Sequence, residues 1–203
     1  MKILTSSAAA LALLTTPALA EDRPLSDFTK ISASAGTRVD VAVGGQFRVN
    51  VEGRDADRIV TRISNGTLVV EPVRGWSWRG PRQAIVRVIM PSVEGLNASS
   101  GADIDARGIA GGAIALDASS GASLDVTGAC ASFTADASSG ASIDAQAMQC
   151  ETGNVEVSSG ASARVFARAR LNVDVSSGGD VEAYGNPGIG DISLSSGGSL
   201  HRR

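Results

Sequence analysis

Histidine, lysine and aromatic residues are nearly missing from this chain of 203 residues, and each scarcity excludes something. The one histidine, His201, stands at the far C-terminal edge. A Ser-His-Asp or Cys-His arrangement therefore has no base in the body of the chain. Lys2 and Lys30 are the only lysines, the arginines are scattered, and the formal net charge is −3. A nucleic-acid binder needs a basic stripe to displace phosphate counterions, so this balance argues against nucleic acid as a partner. Phe, Tyr and Trp together make up 3% of the chain. A core of large side chains is thus unavailable, and a regular fold with a thin core of small aliphatics fits better. No glycine-lysine phosphate loop and no metal motif occurs. No apolar run approaches the ~20 residues a membrane-spanning helix needs.

What is present begins with a secretion-signal pattern over residues 1–20. Lys2 supplies the positive start, Leu4 and the run from Ala8 to Leu14 a short apolar segment, and Ala18-Leu19-Ala20 a small-x-small cleavage site. Cleavage there would start the mature chain at Glu21, exported to the periplasm, the cell surface or the medium. The alternative, an uncleaved anchor, is disfavoured by the short apolar run, and no cysteine stands at the cleavage site to carry a lipid.

The main signal is a repeat. Ser-Ser-Gly ends at Gly101, Gly121, Gly140, Gly160, Gly178 and Gly197, in steps of 20, 19, 20, 18 and 19 residues. Aligned on these glycines, the chain falls into columns. Five before stand Leu96, Leu116, Ala135, Val155, Val173 and Ile192; three before stand Ala98, Ala118, Ala137, Val157, Val175 and Leu194. The residues between them are polar, Asn97, Asp117, Asp136, Glu156, Asp174 and Ser193. Apolar, polar, apolar is the period of a half-buried strand. Beyond the corner the pattern resumes with Ile104, Leu124, Ile143, Ala163, Val181 and Leu200. A third short strand is expected to carry Ile114, Phe133 and Leu171. Glycine suits the corner because it accepts positive φ. A helix is excluded by the spacing, and a flexible Gly/Ser linker by the strict apolar columns. One such unit cannot bury its own apolar face, but stacked units can. The expectation is a parallel β-helix of five or six coils of ~19 residues, lying ~4.8 Å apart.

Cys130 and Cys150 each lie ten residues before a corner glycine, hence in one column of adjacent coils. The coil spacing suits a disulfide, and an exported protein meets oxidising conditions. A Cys130–Cys150 bridge is expected.

The domain reading is a signal over 1–20, a β-rich cap or set of opening coils over 21–95, and the repeat solenoid over 96–203. Val39, Val41 and Val43, then Gly44-Gly45, then Phe47, Val49 and Val51 read as a hairpin. Ser64-Asn65-Gly66 reads as a turn before Thr67–Val70, and a strand over Ala84–Met90 ends at Pro91.

Phe28, the Val-x-Val pair, Gly66-Thr67-Leu68, the strand ending Pro91-Ser92-Val93, and the Ser-Gly-Ala-Asp and Ser-Ser-Gly-Ala-Ser turns resemble the head GIN domain family of autotransporter adhesins. The resemblance covers roughly residues 28–200. It implies a right-handed β-helix and an exported location, in a family without an established enzyme activity, and it supplies no catalytic residues. With His201-Arg202-Arg203 as its last residues, the chain is expected to lack the membrane barrel of a complete autotransporter and not to translocate itself by that route.

Two features carry functional expectations. The column Asp105, Asp125, Asp144, continued by Arg164 and Glu182, stacks carboxylates ~5 Å apart, which repel by ~1 kcal/mol per pair in water. Ca²⁺ would relieve this; a solvated, salt-screened face is the simpler reading. The column Asp117, Asp136, Glu156, Asp174 has the same two readings. The other feature is Arg74-Gly75-Trp76-Ser77-Trp78-Arg79-Gly80-Pro81-Arg82, which holds both tryptophans. Arg74, Trp76, Trp78, Arg79 and Arg82 could grip a glycan, or the loop could cover an open end of the solenoid. Three functions follow. The first is a non-catalytic binding or adhesion module for a cell-surface glycan or envelope component. The second is an envelope scaffold assembling into a homo-oligomer through solenoid ends. The third is a polysaccharide-active enzyme using Ca²⁺ and Arg164. No other cofactor is expected.

Overall fold

The computed structural model describes residues 20–76 and 83–203. The signal pattern of residues 1–19 and most of the tryptophan loop, including Trp78, Arg79 and Arg82, lie outside the described residues.

The corners set the architecture. Ser120 has φ 54° and Gly121 φ 71°, and the Ala122 N–H donates to the Ser119 carbonyl at 3.2 Å. Two successive left-handed residues closed by such a bond make a type I′ turn. The second serine of all six corners, Ser100 through Ser196, takes positive φ as well as the glycine. The turn needs both residues in that region, which the glycine column alone did not reveal. This geometry aims the serine carbonyl along the stack, where Gly101 N–H meets Ser120 O, Gly121 meets Ser139, Gly140 meets Ser159 and Gly160 meets Ser177, each at 3.1 Å. The hydrogen-bond ladder therefore passes through the corners.

Between corners each coil is one bent strand: β9 (Asp103–Ala118), β10 (Ser123–Ala137), β11 (Ser142–Val157) and β12 (Ser162–Val175). The expected two or three short strands are merged, because the ladder continues round the other bends with only local register shifts, as between Val126 and Gly128. Gly128 is needed at one such bend: its φ is 140°, and a Cβ there would stand 2.2 Å from the Ile109 carbonyl oxygen. The strands run parallel and in register, Leu124 between Ile104 and Ile143, Asp125 between Asp105 and Asp144. The repeat makes a β-solenoid of about five turns.

The thin core is fitted by exchange of volume between columns. Ala98, Ala118, Ala137, Val157 and Val175 are at most 3% exposed. One coil after that column grows from alanine to valine at Val157, the residue after the corner glycine shrinks from Ala161 to Gly179. A Cβ on Gly179 would lie 2.9 Å from Val157 Cγ1. Phe133 pairs with Gly153 in the next coil and fills the space a side chain there would need, with its ring 2.2 Å from the position of that Cβ. Such fitting matters because interiors are packed to crystal-like density.

Residues 30–98 contribute to the same stack out of sequence order. The strands are β1 (Ala20–Arg23), β2 (Lys30–Ala33), β3 (Arg38–Val43), β4 (Arg48–Gly53), β5 (Ile59–Ser64), β6 (Thr67–Pro72), β7 (Ala84–Met90) and β8 (Gly95–Ala98). Strands β2 and β3 flank a corner built from Ser34, Ala35 (φ 53°) and Gly36 (φ 77°). They lie between the β6–β7 coil and the β8–β9 coil: Ile31 pairs with both Leu68 and Leu96, Val39 with both Val86 and Ile104. In the β6–β7 coil, β6 ends at Pro72 and β7 begins at Ala84.

The hairpin expected across Gly44-Gly45 is not formed. Strand β7 lies between β3 and β4, parallel to the first and antiparallel to the second. The Gly44 N–H donates to the Met90 carbonyl at 2.8 Å as the loop passes over the end of β7. Insertion of β7 pairs both valine strands fully and keeps β3 in parallel register with the coils, which a direct hairpin would not do. The turn at Asn65-Gly66, with φ 49° and 71°, does join a hairpin, β5 with β6.

The two ends differ. At the N-terminal end β5 lies antiparallel on β6, β4 on β7, and β1 on β4. At the other end stand β13 (Asp180–Tyr184), β14 (Gly188–Leu194) and β15 (Ser199–Arg202). There Ile192 is 54% and Leu194 47% exposed.

Candidate functional site

Because successive strands are in register, each outward column becomes a straight row of like groups. A groove of ≈ 570 Å³ runs along the stack on its outer surface. One wall is the row Asn97, Asp117, Asp136, Glu156, Asp174, and the other is the first-serine row Ser119, Ser138, Ser158, Ser176. Partial burial raises the Asp117 carboxyl above its ordinary value. Burial does the same for Asp136, helped by repulsion from Asp117. The groove is thus an array of hydrogen-bond acceptors with hydroxyls beside them.

The second acidic row is Asp105, Asp125, Asp144, and the structure brings the three together as adjacent rungs. Asp40 extends it, pairing with Asp105. Sequence reasoning missed Asp40, although it stands four residues past Gly36 just as Asp105 stands four past Gly101. Arginines neutralise much of the row. Arg107 holds Asp105 at 2.7 Å, and Arg164 lies 3.3 Å from Asp144 and 3.9 Å from Glu182. Asp125 lies between them and its carboxyl is raised, first by burial, then by Asp105 and Asp144, with Arg107 opposing. Glu182 is lowered by hydrogen bonds from Tyr184 and Arg203. Among the described residues, no group of three or more His, Cys, Asp or Glu is arranged to hold a metal ion.

Trp76 lies four residues past the end of β6. It is 37% exposed, and the Arg58 guanidinium sits 4.9 Å over its ring. Arg74 occupies the exposed turn closed by Trp76 N–H donating to Val73 O at 2.9 Å. Cys130 and Cys150 form the expected disulfide, with their Cα atoms 4.5 Å apart. It bridges neighbouring coils, closing a loop of 20 residues.

His201 lies 3.2 Å from Asp180, and the Ser199 hydroxyl donates to the same carboxylate. Here the acid accepts the serine's hydrogen bond directly. The histidine is not interposed to accept the serine proton, as a nucleophile–base pair requires.

A solenoid with repetitive polar rows along its outer surface defines the class: a β-helical module. No helix among the described residues is long and apolar enough to cross a membrane. The chain belongs to the family described as "Putative auto-transporter adhesin, head GIN domain", which matches residues 27–187. Three solved structures share the fold. A putative adhesin from Bacteroides fragilis superposes with TM-score 0.72 at 13% identity, covering 93% of this chain and 98% of that one. A putative adhesin from Parabacteroides merdae gives 0.59 at 12% identity, covering 93% and 97%. A putative lipid binding protein from Parabacteroides distasonis gives 0.55 at 14% identity, covering 93% and 98%. No curated protein matches.

Proposed function

We propose that this protein is a non-catalytic, exported envelope module that binds an extended neutral or amino-bearing glycan along the groove between the acidic and serine rows. The carrying observation is the register: carboxylates and hydroxyls repeat along the stack at strand pitch, a rigid acceptor array suited to an extended polymer of hydroxyls. Carboxylates accept hydrogen bonds from sugar hydroxyls and attract amino groups, while anionic polymers are repelled. The secretion-signal pattern, the disulfide and the adhesin label of the family support an exported surface role. Exposed Trp76, with Arg58 on its ring, gives a second platform for sugar stacking at the end of the stack.

A glycan array probed with the mature chain tests this reading. Binding should concentrate on linear neutral or aminated polymers and fall sharply in Asp117→Asn/Asp136→Asn. Absence of glycan binding, a preference for sulfated polymers, or full binding by the double variant would overturn it. Binding lost only in Trp76→Ala would move the site to the loop.

A further inference from the structure

In the last coil, two apolar columns that are buried in the coils before it face solvent. Ile192 and Leu194 are 54% and 47% exposed, whereas Val173 and Val175, their mates one coil back, are 3% and 0%. Strand β14 pairs with β12 on one side, and no strand among the described residues lies on the other. The β15 half of this end is closed differently. Its column holds Val126, Ala145, Val165 and Ala183 in earlier coils, all buried, and then Arg202. The Arg202 guanidinium donates to Asn186 Oδ1 at 2.9 Å and to the Pro187 carbonyl at 3.1 Å. A charge in an inward column discourages further strand addition. The open edge is therefore one strand long, with apolar residues two apart.

The molecule's other end shows what covers such an edge. There an antiparallel strand, β5, lies on β6 with Ile63 opposite Leu68. We propose that β14 is covered by β14 of a second copy, in a two-fold antiparallel pair centred on Ser193. This register sets Ile192 opposite Leu194 of the second copy, twice by symmetry, both facing the core. Asp191, the only charge on β14, falls opposite Ser195 of the second copy, a hydroxyl that can donate to it. Centring the axis on Gly197 would instead put Ile192 opposite Arg202 and bury an unpaired charge. Head-to-tail stacking would set β14 on β5, which ends the same column at the other end of the molecule, and would run on as an open filament rather than close. The two-fold contact closes as a tail-to-tail dimer. It is weak, because one strand edge buries less than a standard interface. Its consequence is bivalency, which raises avidity for a polymer without any new contact.

Sedimentation of the disulfide-intact mature chain, from micromolar to millimolar concentration, tests this, together with oxidative cross-linking of single cysteines. The wild type should shift from monomer to dimer, and Ile192→Lys/Leu194→Lys should lose the dimer while keeping the β circular-dichroism spectrum. Ser193→Cys should cross-link two copies and Ser199→Cys should not. A monomer at every concentration, a dimer that survives the double lysine variant, or cross-linking by Ser199→Cys as fast as by Ser193→Cys would overturn the proposal.

Discussion

The two ends of the stack use the same columns and meet opposite fates. At the N-terminal end, Leu68 and Val70 of β6 are fully buried because β5 turns back over them. At the C-terminal end, Ile192 and Leu194 continue equally apolar columns and stand half exposed, with no described strand above them. The residue type is alike, so what differs is the next layer. In a solenoid, burial is a property of neighbouring coils, and stability is a sum of coil contents and coil-to-coil contacts. Changes in the middle of the stack should therefore cost most, and changes at the open end least.

The largest effect is expected where two coils share one volume. Phe133→Ala should cost about 3–5 kcal/mol in urea unfolding. Gly153→Leu should be at least as harmful, because its side chain and the Phe133 ring need the same space. The double change Phe133→Gly/Gly153→Phe should recover much of the loss, which it would not do unless these rungs face each other. Next comes the disulfide. Replacing Cys130 and Cys150 with alanine should lower stability by about 3 kcal/mol on the chain-entropy argument for a loop of this length. Leu194→Ala at the open end should cost well under 1 kcal/mol, as surface changes do. A mid-stack cost as small as the end cost would break the comparison.

A smaller effect is expected from pH. Asp117, Asp125 and Asp136 are raised in the folded state, chiefly by burial. A raised carboxyl binds its proton more tightly when folded, so stability increases as pH falls through the folded value, and the gain is complete below the unfolded value, about 3.9. Glu182 is lowered and works in reverse: its contribution is present above its unfolded value and lost as pH falls through the folded one. The thermal midpoint should thus rise from neutral pH towards about pH 4. Asp117→Asn/Asp125→Asn/Asp136→Asn should flatten that rise. The smallest effect concerns Ca²⁺. With Arg107 on Asp105 and Arg164 on Asp144, titrating millimolar Ca²⁺ into chelator-treated protein should release no measurable heat.

Sequence periodicity revealed the repeat because its signal is local and cumulative. Apolar residues two apart fix which side faces inward, and corners about nineteen residues apart fix which side chains meet. That was enough to place Cys130 against Cys150, and Asp125 between Asp105 and Asp144. It was not enough for β3 and β4, whose alternation and Gly44-Gly45 break fit a hairpin. Their true neighbour, β7, lies some forty residues on, and local pattern carries no record of an inserted strand. The coil at Ser34-Ala35-Gly36 was hidden by a single change in the corner and by its place out of order, and Asp40 was hidden with it. Exposure of Ile192 and Leu194 was illegible for another reason. A column says which way a side chain points, not whether another coil lies on top.

The most direct test of the stacking register is a new cysteine pair one coil apart, mapped by mass spectrometry of the non-reduced protein. Ser123→Cys/Ser142→Cys, on residues opposite each other, should close a second disulfide, while Ser123→Cys/Asp144→Cys, offset by two, should stay reduced. Closure of the offset pair in preference to the aligned one would mean that equivalent positions do not meet.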